Sequence, residues 1–321
     1  MNKIDELLQN LVMNLPAERN NETFYDFVEK KYNEYLFAIN NTPKDDFDMF
    51  LDSTKEFVGN ATKERFISLV MEIMGSSLYI LQQAYKGDTY NAYKRFENLF
   101  LYQKYTQNKL VDMYVNYFST DIEAQDFYRC VDFPIETPYN MINCWHVPFN
   151  KRQSAKRNRF NQSGVPCFYV SNSEKNAIEE TGKVKESQNR WIGRFRLNKP
   201  LRFLDFTIPD IKKMTEYEKF SFLITYPIRL TCLTKVKYDD AEFCEEYIFP
   251  QLFFHVLFMH KNDKFQKVEG IRYVSMHDRE STCLVIPALY ESKTPQKEGY
   301  SSNILSQFTE VEKPRLVQQL K

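Results

Sequence analysis

The stretch RNRFNQSGVPCFYVSNSEKNAIEET, residues 157–181, carries the patterns of a turn, a strand and a helix in succession. The polar run 161–164 ends in glycine, which favours a turn. Residues 167–171 alternate, which predicts a strand with Phe168 and Val170 on one face and Cys167, Tyr169 and Ser171 on the other. A β-strand followed at once by a helix is therefore the expected centre of the fold.

The helix is expected to begin near Glu174. Ser171 or Ser173 is suited to cap it, because a serine hydroxyl can accept a hydrogen bond from a free backbone N–H of the first turn. Ala177 and Glu180 are three residues apart and so share one helix face. Glu179 lies beside Glu180, and only one of the two can face the same way, so spacing alone leaves open which acid faces the end of the strand.

Arg159, Tyr169 and Glu180 could therefore meet at the end of the strand. A guanidinium binds phosphate through two hydrogen bonds, a phenol can stack on a flat heterocycle, and a carboxylate can stabilise a cationic sugar. Such a set suits a nucleotide glycoside such as NAD. On spacing alone, however, three solvated surface residues are the simpler interpretation.

Composition excludes several classes of protein. The 321 residues contain 43 Lys+Arg and 43 Asp+Glu, which argues against a dedicated nucleic-acid binder or a polybasic membrane-surface protein. The six cysteines form no CxxC pair and the four histidines show no ligand spacing, so we expect reduced thiols and no metal. No apolar run reaches the roughly 20 residues that span a bilayer. We expect a cytoplasmic protein.

The spacing of apolar residues changes near residue 120. Apolar residues recur at helical spacing before it, which predicts an all-helical domain over residues 1–120. A mixed α/β domain is expected over residues 121–321, so the predicted fold class is α+β. Predicted helices lie at Lys175–Gly182, Ile211–Leu223 and Glu245–His260. Predicted strands lie at Val165–Ser171, Trp191–Leu197, Leu201–Phe206, Ile228–Thr234, Ile271–Ser275 and Cys283–Pro287.

A basic cluster stands out in a chain of zero net charge. It consists of Lys151, Arg152, Lys156, Arg157 and Arg159. A local anionic ligand and a solvated loop are equally good interpretations of the cluster alone.

Five segments in order make residues 126–288 resemble a RES domain. They are FYRC (127–130), residues 159–180 with Arg159, Gly164, Tyr169, Ser171, Ala177 and Glu180, LDFT (204–207), EYIFPQLF (246–253) and GIRYVS (270–275). The resemblance implies a β-sheet core like that of ADP-ribosyltransferases. It also implies an enzyme that consumes NAD by breaking the bond from nicotinamide to ribose, with phosphate or water as acceptor. The resemblance does not cover residues 1–120.

The resemblance also implies roles for single residues. Arg129 and Arg159 would hold the NAD phosphates, Tyr169 would pack beside the nicotinamide ribose, and Ser275 would complete the pocket. Glu180 would stabilise the developing oxocarbenium ion. Because nicotinamide leaves as a neutral group, this chemistry demands neither a histidine base nor a metal.

Many members of the family are toxins of toxin–antitoxin pairs, so the resemblance implies a toxin or antiphage defence effector with an antitoxin or inhibitory partner. Regulation and dimerisation are both compatible with the helical domain. A protein ADP-ribosyltransferase and an inactive nucleotide-binding module are the alternatives. A helical ribonuclease of the HEPN type would need an Arg…His pair, and no histidine precedes His146.

Overall fold

The computed structural model describes residues 2–101, 119–238, 241, 243–259, 268–291 and 299–318. The chain divides into two compact units, each built from two segments. The helical unit comprises Met1–Phe118 and Ile208–Lys264, and the sheet unit comprises Ser119–Thr207 and Phe265–Lys321. Helices come first and a mixed sheet with helices follows, so the predicted α+β class is confirmed.

The first segment of the helical unit follows the predicted apolar stripes. Its helices are α1 (Lys3–Met13), α2 (Phe24–Asn41), α3 (Lys44–Ser53), α4 (Lys55–Val58), α5 (Lys63–Tyr85) and α6 (Thr89–Leu101). The second segment adds a 3-10 turn (Ile211–Lys213), α8 (Glu216–Cys232), a 3-10 turn (Glu245–Tyr247), α9 (Ile248–Phe254) and a π-helical turn (His255–Met259). Helix α7 (Glu174–Glu180) comes between these two segments in the chain and lies in the sheet unit. Within the described residues, no helix is long and apolar enough to cross a membrane.

The strand predicted at Ile228–Thr234 is wrong, because Ile228–Cys232 form the last turns of α8. This helix is buried on every side, because every residue from Lys219 to Cys232 is buried. A helix without a polar face shows no 3.6-residue period in its apolar residues. Its β-branched residues therefore resemble those of a buried strand.

Pro227 lies inside α8, although proline normally interrupts a helix, so its presence also favoured a strand in the sequence pattern. It has no N–H to donate to the carbonyl four residues earlier, that of Leu223. The Tyr35 hydroxyl of α2 donates to that same Leu223 carbonyl. The Tyr32 hydroxyl lies 2.6 Å from Thr231 Oγ1, one turn after Pro227. Two phenols from α2 therefore satisfy polar groups along the interrupted helix.

The sheet unit contains one eight-stranded sheet with the order β1-β5-β6-β7-β3-β2-β4-β8. The strands are β1 (Ser119–Ile122), β2 (Asp126–Pro134), β3 (Cys167–Ser171), β4 (Gln188–Leu197), β5 (Leu201–Phe206), β6 (Gly270–Val274), β7 (Thr282–Pro287) and β8 (Phe308–Gln318). The described residues of this unit also form two helices, α7 (Glu174–Glu180) and α10 (Asn303–Gln307), and 3-10 turns at Tyr139–Met141 and Phe149–Ser154.

Neighbouring strands pair antiparallel except β5 and β6, which run parallel. Parallel neighbours need a crossover connection, and here the crossover is the segment that contains α8 and α9. The family-like motif EYIFPQLF, residues 246–253, therefore lies in the helical unit. Whether residues 1–120 and 121–321 are separate functional domains stays a prediction.

One face of the sheet carries the core of the sheet unit. Phe168 and Val170 of β3 belong to it, whereas Tyr169 and Ser171 do not, as the alternation predicted. Gly270 opens β6 because a Cβ there would lie 2.2 Å from the Val285 carbonyl oxygen of β7. The ends of β6 and β3 lie on either side of the start of β7, because Val274 pairs with Thr282 and Ser171 with Cys283.

His146 lies buried in the sheet unit as a neutral imidazole. Its Nδ1 lies 2.8 Å from the Val147 carbonyl oxygen and its Nε2 2.9 Å from Ser302 Oγ. The Nδ1–H donates to the carbonyl, so Nε2 accepts from the serine. Burial lowers the pKa of His146 to about 4.

We predict that acid destabilises the sheet unit through His146. Because the pKa is depressed on folding from about 6.5 to about 4, the unfolded chain binds the extra proton between these values, and stability falls as pH falls. From pH 7 to pH 5 the loss is about 2 kcal/mol. Urea unfolding followed by tryptophan fluorescence measures it, since the two tryptophans, Trp145 and Trp191, both lie in the sheet unit. His146→Gln should lose most of this pH dependence; an equal dependence in the variant would contradict the assignment.

Candidate functional site

The junction of β3 and α7 positions the first candidate residue. Ser173 caps α7 by accepting a hydrogen bond from the Asn176 N–H, which confirms one of the two predicted caps. The helix spans only two turns and ends at Glu180. The side chain of its last residue consequently projects beside the loop that follows β6.

Glu180 is fixed there by hydrogen bonds to one carboxylate oxygen. Oε1 accepts from Ser275 Oγ at 2.6 Å and from the Met276 N–H at 3.2 Å. Ser275 is fully buried, and its oxygen accepts in turn from the N–H groups of His277 and Asp278. Oε2 of Glu180 accepts no hydrogen bond from any residue in the described ranges. One oxygen is thus held by the protein while the other remains available.

Glu179 takes a different direction. Its carboxylate lies 3.8 Å from Lys175 Nζ, and 38% of its side-chain surface is exposed. The ambiguity between the two neighbouring acids is therefore resolved by packing: Glu180 joins the polar cluster around Ser275, and Glu179 forms an i,i+4 pair along the helix surface.

Asn176 links that cluster to β3 and β7. Its amide is almost fully buried and lies 2.6 Å from Ser275 Oγ, 2.9 Å from Ser171 Oγ and 3.4 Å from Cys283 Sγ. The Ser275 hydroxyl has a single proton and two acceptors at 2.6 Å, Asn176 Oδ1 and Glu180 Oε1. A carboxylate is a stronger acceptor than an amide oxygen, so the Ser275 hydroxyl donates its hydrogen bond to Glu180.

Tyr273 lies at the centre of this face, although the sequence analysis gave it no role. It pairs with Cys283 in the sheet register, and Cys283 pairs with Ser171 on its other side. Burial raises the pKa of Tyr273 well above its usual range, and the nearby Cys283 and Glu180 raise it further. The neutral phenol forms the floor between the acid and the loop that contains Arg159.

That loop carries Arg159, whose side chain is 6% exposed. The N–H of Asn158 donates to the Asn161 carbonyl at 3.0 Å, which closes a tight turn with Arg159 at its corner. The Tyr169 hydroxyl donates to Asn161 Oδ1 at 2.9 Å and accepts from the Phe160 N–H at 3.2 Å. Tyr169 therefore ties the arginine-bearing turn to β3.

The same turn reaches the centre of the face. The ring of Phe160 packs 5.2 Å, centroid to centroid, from the ring of Tyr273. Glu180 and Tyr169 raise the pKa of Tyr273 and Arg159 lowers it, so all three lie near this phenol. Four predicted site residues are thus brought together by the structure: Arg159, Tyr169, Glu180 and Ser275.

Arg129 is the exception. It shares the core side of β2 with Phe127, and its guanidinium lies 5.5 Å from the ring centroid of Phe168. Its Nη1 donates to the Tyr169 carbonyl at 2.8 Å, across the gap between β2 and β3, which share one register pair only. Burial lowers the pKa of Arg129, and its Nε has no hydrogen-bond partner within the described part of the chain. Whether it binds phosphate stays a prediction.

The basic cluster flanks this site. Lys151, Arg152 and Lys156 are exposed, and none of the three forms an ion pair with a described residue. The Lys156 carbonyl accepts from Asn161 Nδ2, so the cluster and the Arg159 turn are one connected loop. The Glu180 carboxylate and the basic loop therefore belong to the same unit of the structure.

Signals for the missed residues were present in the sequence. Tyr273 precedes Ser275 by two residues on a strand, so both point to one face. Asn176 precedes Glu180 by four residues on a helix, which again gives a shared face. Within the described residues, no group of three or more His, Cys, Asp or Glu side chains could hold a metal ion.

All these residues fall within a single family match. The RES domain family model matches residues 128–300, more than half of the chain, and the chain belongs to the RES domain family. The predicted resemblance of residues 126–288 is thereby confirmed.

One curated relative adds a comparison along most of the chain. It is the Bacillus subtilis (strain 168) protein named "Putative toxin YopC", 23% identical over 290 residues, which cover 85% of this chain and 61% of the relative. The chain thus spans about three fifths of the length of that relative. No solved structure matches the chain significantly.

We predict that the thiols of the folded protein resist alkylation. Burial raises the pKa of Cys130 and of Cys144 to about 12 and raises those of Cys167 and Cys283 further. Because the thiolate is the reactive form, these thiols should react with iodoacetamide at pH 8 about 1000-fold more slowly than a free cysteine.

Mass spectrometry of the native protein measures this rate. The same protein in guanidinium chloride is the control and should label at all six cysteines, which are free. Rapid native labelling of Cys283, the thiol nearest to Asn176, would contradict the buried geometry.

Proposed function

We propose that this RES protein cleaves the bond between nicotinamide and ribose in NAD. The observation that carries the proposal is the state of Glu180: Oε1 is held by Ser275 and the Met276 N–H, and Oε2 is left for a ligand. A carboxylate fixed in this way is suited to accept a hydrogen bond from a ribose hydroxyl and to stabilise positive charge at the anomeric carbon.

In the proposed reaction, the C–N bond breaks and its electron pair leaves with nicotinamide, which becomes neutral. The ribose becomes an oxocarbenium ion, as in glycoside hydrolysis. Water or inorganic phosphate then attacks the anomeric carbon, and water loses its proton to solvent. Glu180 supplies fixed negative charge rather than a proton, so no metal and no histidine base take part.

The cations of the site fit the other end of the substrate. Arg159 would bind the pyrophosphate, and Arg129 would add charge from the far side of β3. Tyr169 holds the Arg159 turn through Phe160 and Asn161, so the phenol would pack beside the nicotinamide ribose with its hydroxyl already bonded. Anchoring the pyrophosphate positions the anomeric carbon over Glu180.

The family and the relative support the biological role that we propose. We take the protein to be a toxin-like effector that depletes NAD, and its partner to be an antitoxin or inhibitory protein. The helical unit is then the natural candidate for regulation or dimerisation, and the sheet unit with its site for catalysis. The cytoplasm, where NAD is abundant, is the proposed location.

Nicotinamide release by the purified full chain tests the proposal. Glu180→Gln should lower the rate about 100- to 1000-fold, the usual cost of losing electrostatic stabilisation at a reacting centre. Glu179→Gln is the matched control, because it removes the same charge one residue away, and it should stay within about twofold of wild type, as surface charge pairs contribute little.

The product distinguishes the alternatives. ADP-ribose indicates water as acceptor, and ADP-ribose 1″-phosphate, formed only with phosphate present, indicates phosphorolysis. A protein ADP-ribosyltransferase would release nicotinamide only with an acceptor protein. A wild type without any release under all these conditions, or equal loss in both glutamine variants, would contradict the proposal.

A further inference from the structure

A second anchor of Glu180 lies behind the helix, on β4. Arg190 is 2% exposed and forms two parallel hydrogen bonds with Asp132 of β2, Nε to Oδ1 at 2.8 Å and Nη2 to Oδ2 at 2.9 Å. The two residues are directly opposite in the strand register. This bidentate geometry fixes the plane of the guanidinium.

The remaining donors of Arg190 all point to the end of α7. Nη1 donates to the carbonyls of Gly182 at 2.7 Å and Ile178 at 3.2 Å, and Nη2 reaches the Thr181 carbonyl at 3.4 Å. All five guanidinium N–H groups are therefore used. The carbonyls lie on both sides of Glu180 in the sequence.

These carbonyls need such a partner. The last carbonyls of a helix lack an N–H donor four residues further on, and a cation at this end also complements the helix dipole. A seven-residue helix is marginal by itself, so its orientation depends on its surroundings. The backbone around Glu180 is accordingly set by Arg190, while Ser275 sets the carboxylate.

From this geometry we propose that Arg190 and Asp132 are positioning residues for the NAD-cleaving reaction: the bidentate pair holds the C-terminal end of α7 so that the Glu180 carboxylate stays over the anomeric carbon. The inference rests on the proposed function. The pair does not contact substrate and acts through the helix backbone alone.

The sheet unit offers a matched control pair. Asp126 and Arg194 join the same two strands, β2 and β4, through a more exposed ion pair in which Nε and Nη2 both donate to Oδ2 of Asp126. Asp126 also bonds Arg196, and neither arginine donates to a carbonyl of α7 among the described contacts. Removing the Asp126 charge therefore perturbs the same sheet without touching the helix that carries Glu180.

The experiment compares Asp132→Asn and Arg190→Lys with Asp126→Asn in steady-state NAD cleavage by the full chain. A misplaced carboxylate weakens the transition state more than ground-state binding, so we expect kcat to fall about 10- to 100-fold in the first two variants. Their KM for NAD and their Kd for ADP-ribose should stay within about threefold, and Asp126→Asn should keep wild-type kcat. Assays run well below the melting temperature of each variant.

Several outcomes would overturn the positioning role. A kcat within twofold of wild type in Asp132→Asn is one, and an equal fall in Asp126→Asn is another. If Asp132→Asn fails to fold while Asp126→Asn folds, the pair serves stability and the inference is wrong. A wild-type protein that releases no nicotinamide fails the proposed function instead, so the two failures are distinguishable.

Discussion

The hydrogen bond from the Ser275 hydroxyl to Glu180 Oε1 joins two distant parts of the sequence at the site. It connects the last residue of α7 to the loop after β6, and the Met276 N–H reinforces it. Without it, the carboxylate at the end of a two-turn helix would be free to rotate into solvent. The available oxygen, Oε2, owes its direction to this contact, and the proposed chemistry depends on that direction.

The sheet explains why the surrounding residues are where they are. Alternation along β3 sends Phe168 into the core and Tyr169 to the opposite face, and the register through β7 aligns Ser171, Cys283 and Tyr273. Since Tyr169 also bonds the Arg159 turn, one strand positions both the floor of the site and its buried cation. Arg129 reaches the same strand from the core side.

Sequence alone predicted the local elements around the site well, because the turn, the strand and the helix within residues 157–181 each depend on residues that are close together in the sequence. It failed at Ile228–Thr234, where burial on every side removes the periodicity that identifies a helix. The contact between Arg190 and the end of α7 could not be found, since it depends on strand register rather than on spacing. The same holds for the core-side position of Arg129 and for the inclusion of Ile208–Lys264 in the helical unit.

A crystal structure of the protein with a non-hydrolysable carbocyclic NAD analogue tests the central claim most directly. The account predicts a hydroxyl of the nicotinamide-side ring within about 3 Å of Glu180 Oε2, a normal hydrogen-bond distance, and the pyrophosphate against Arg159. An analogue bound elsewhere, or a Glu180 carboxylate turned away from it into solvent with the Ser275 bond broken, would contradict the account.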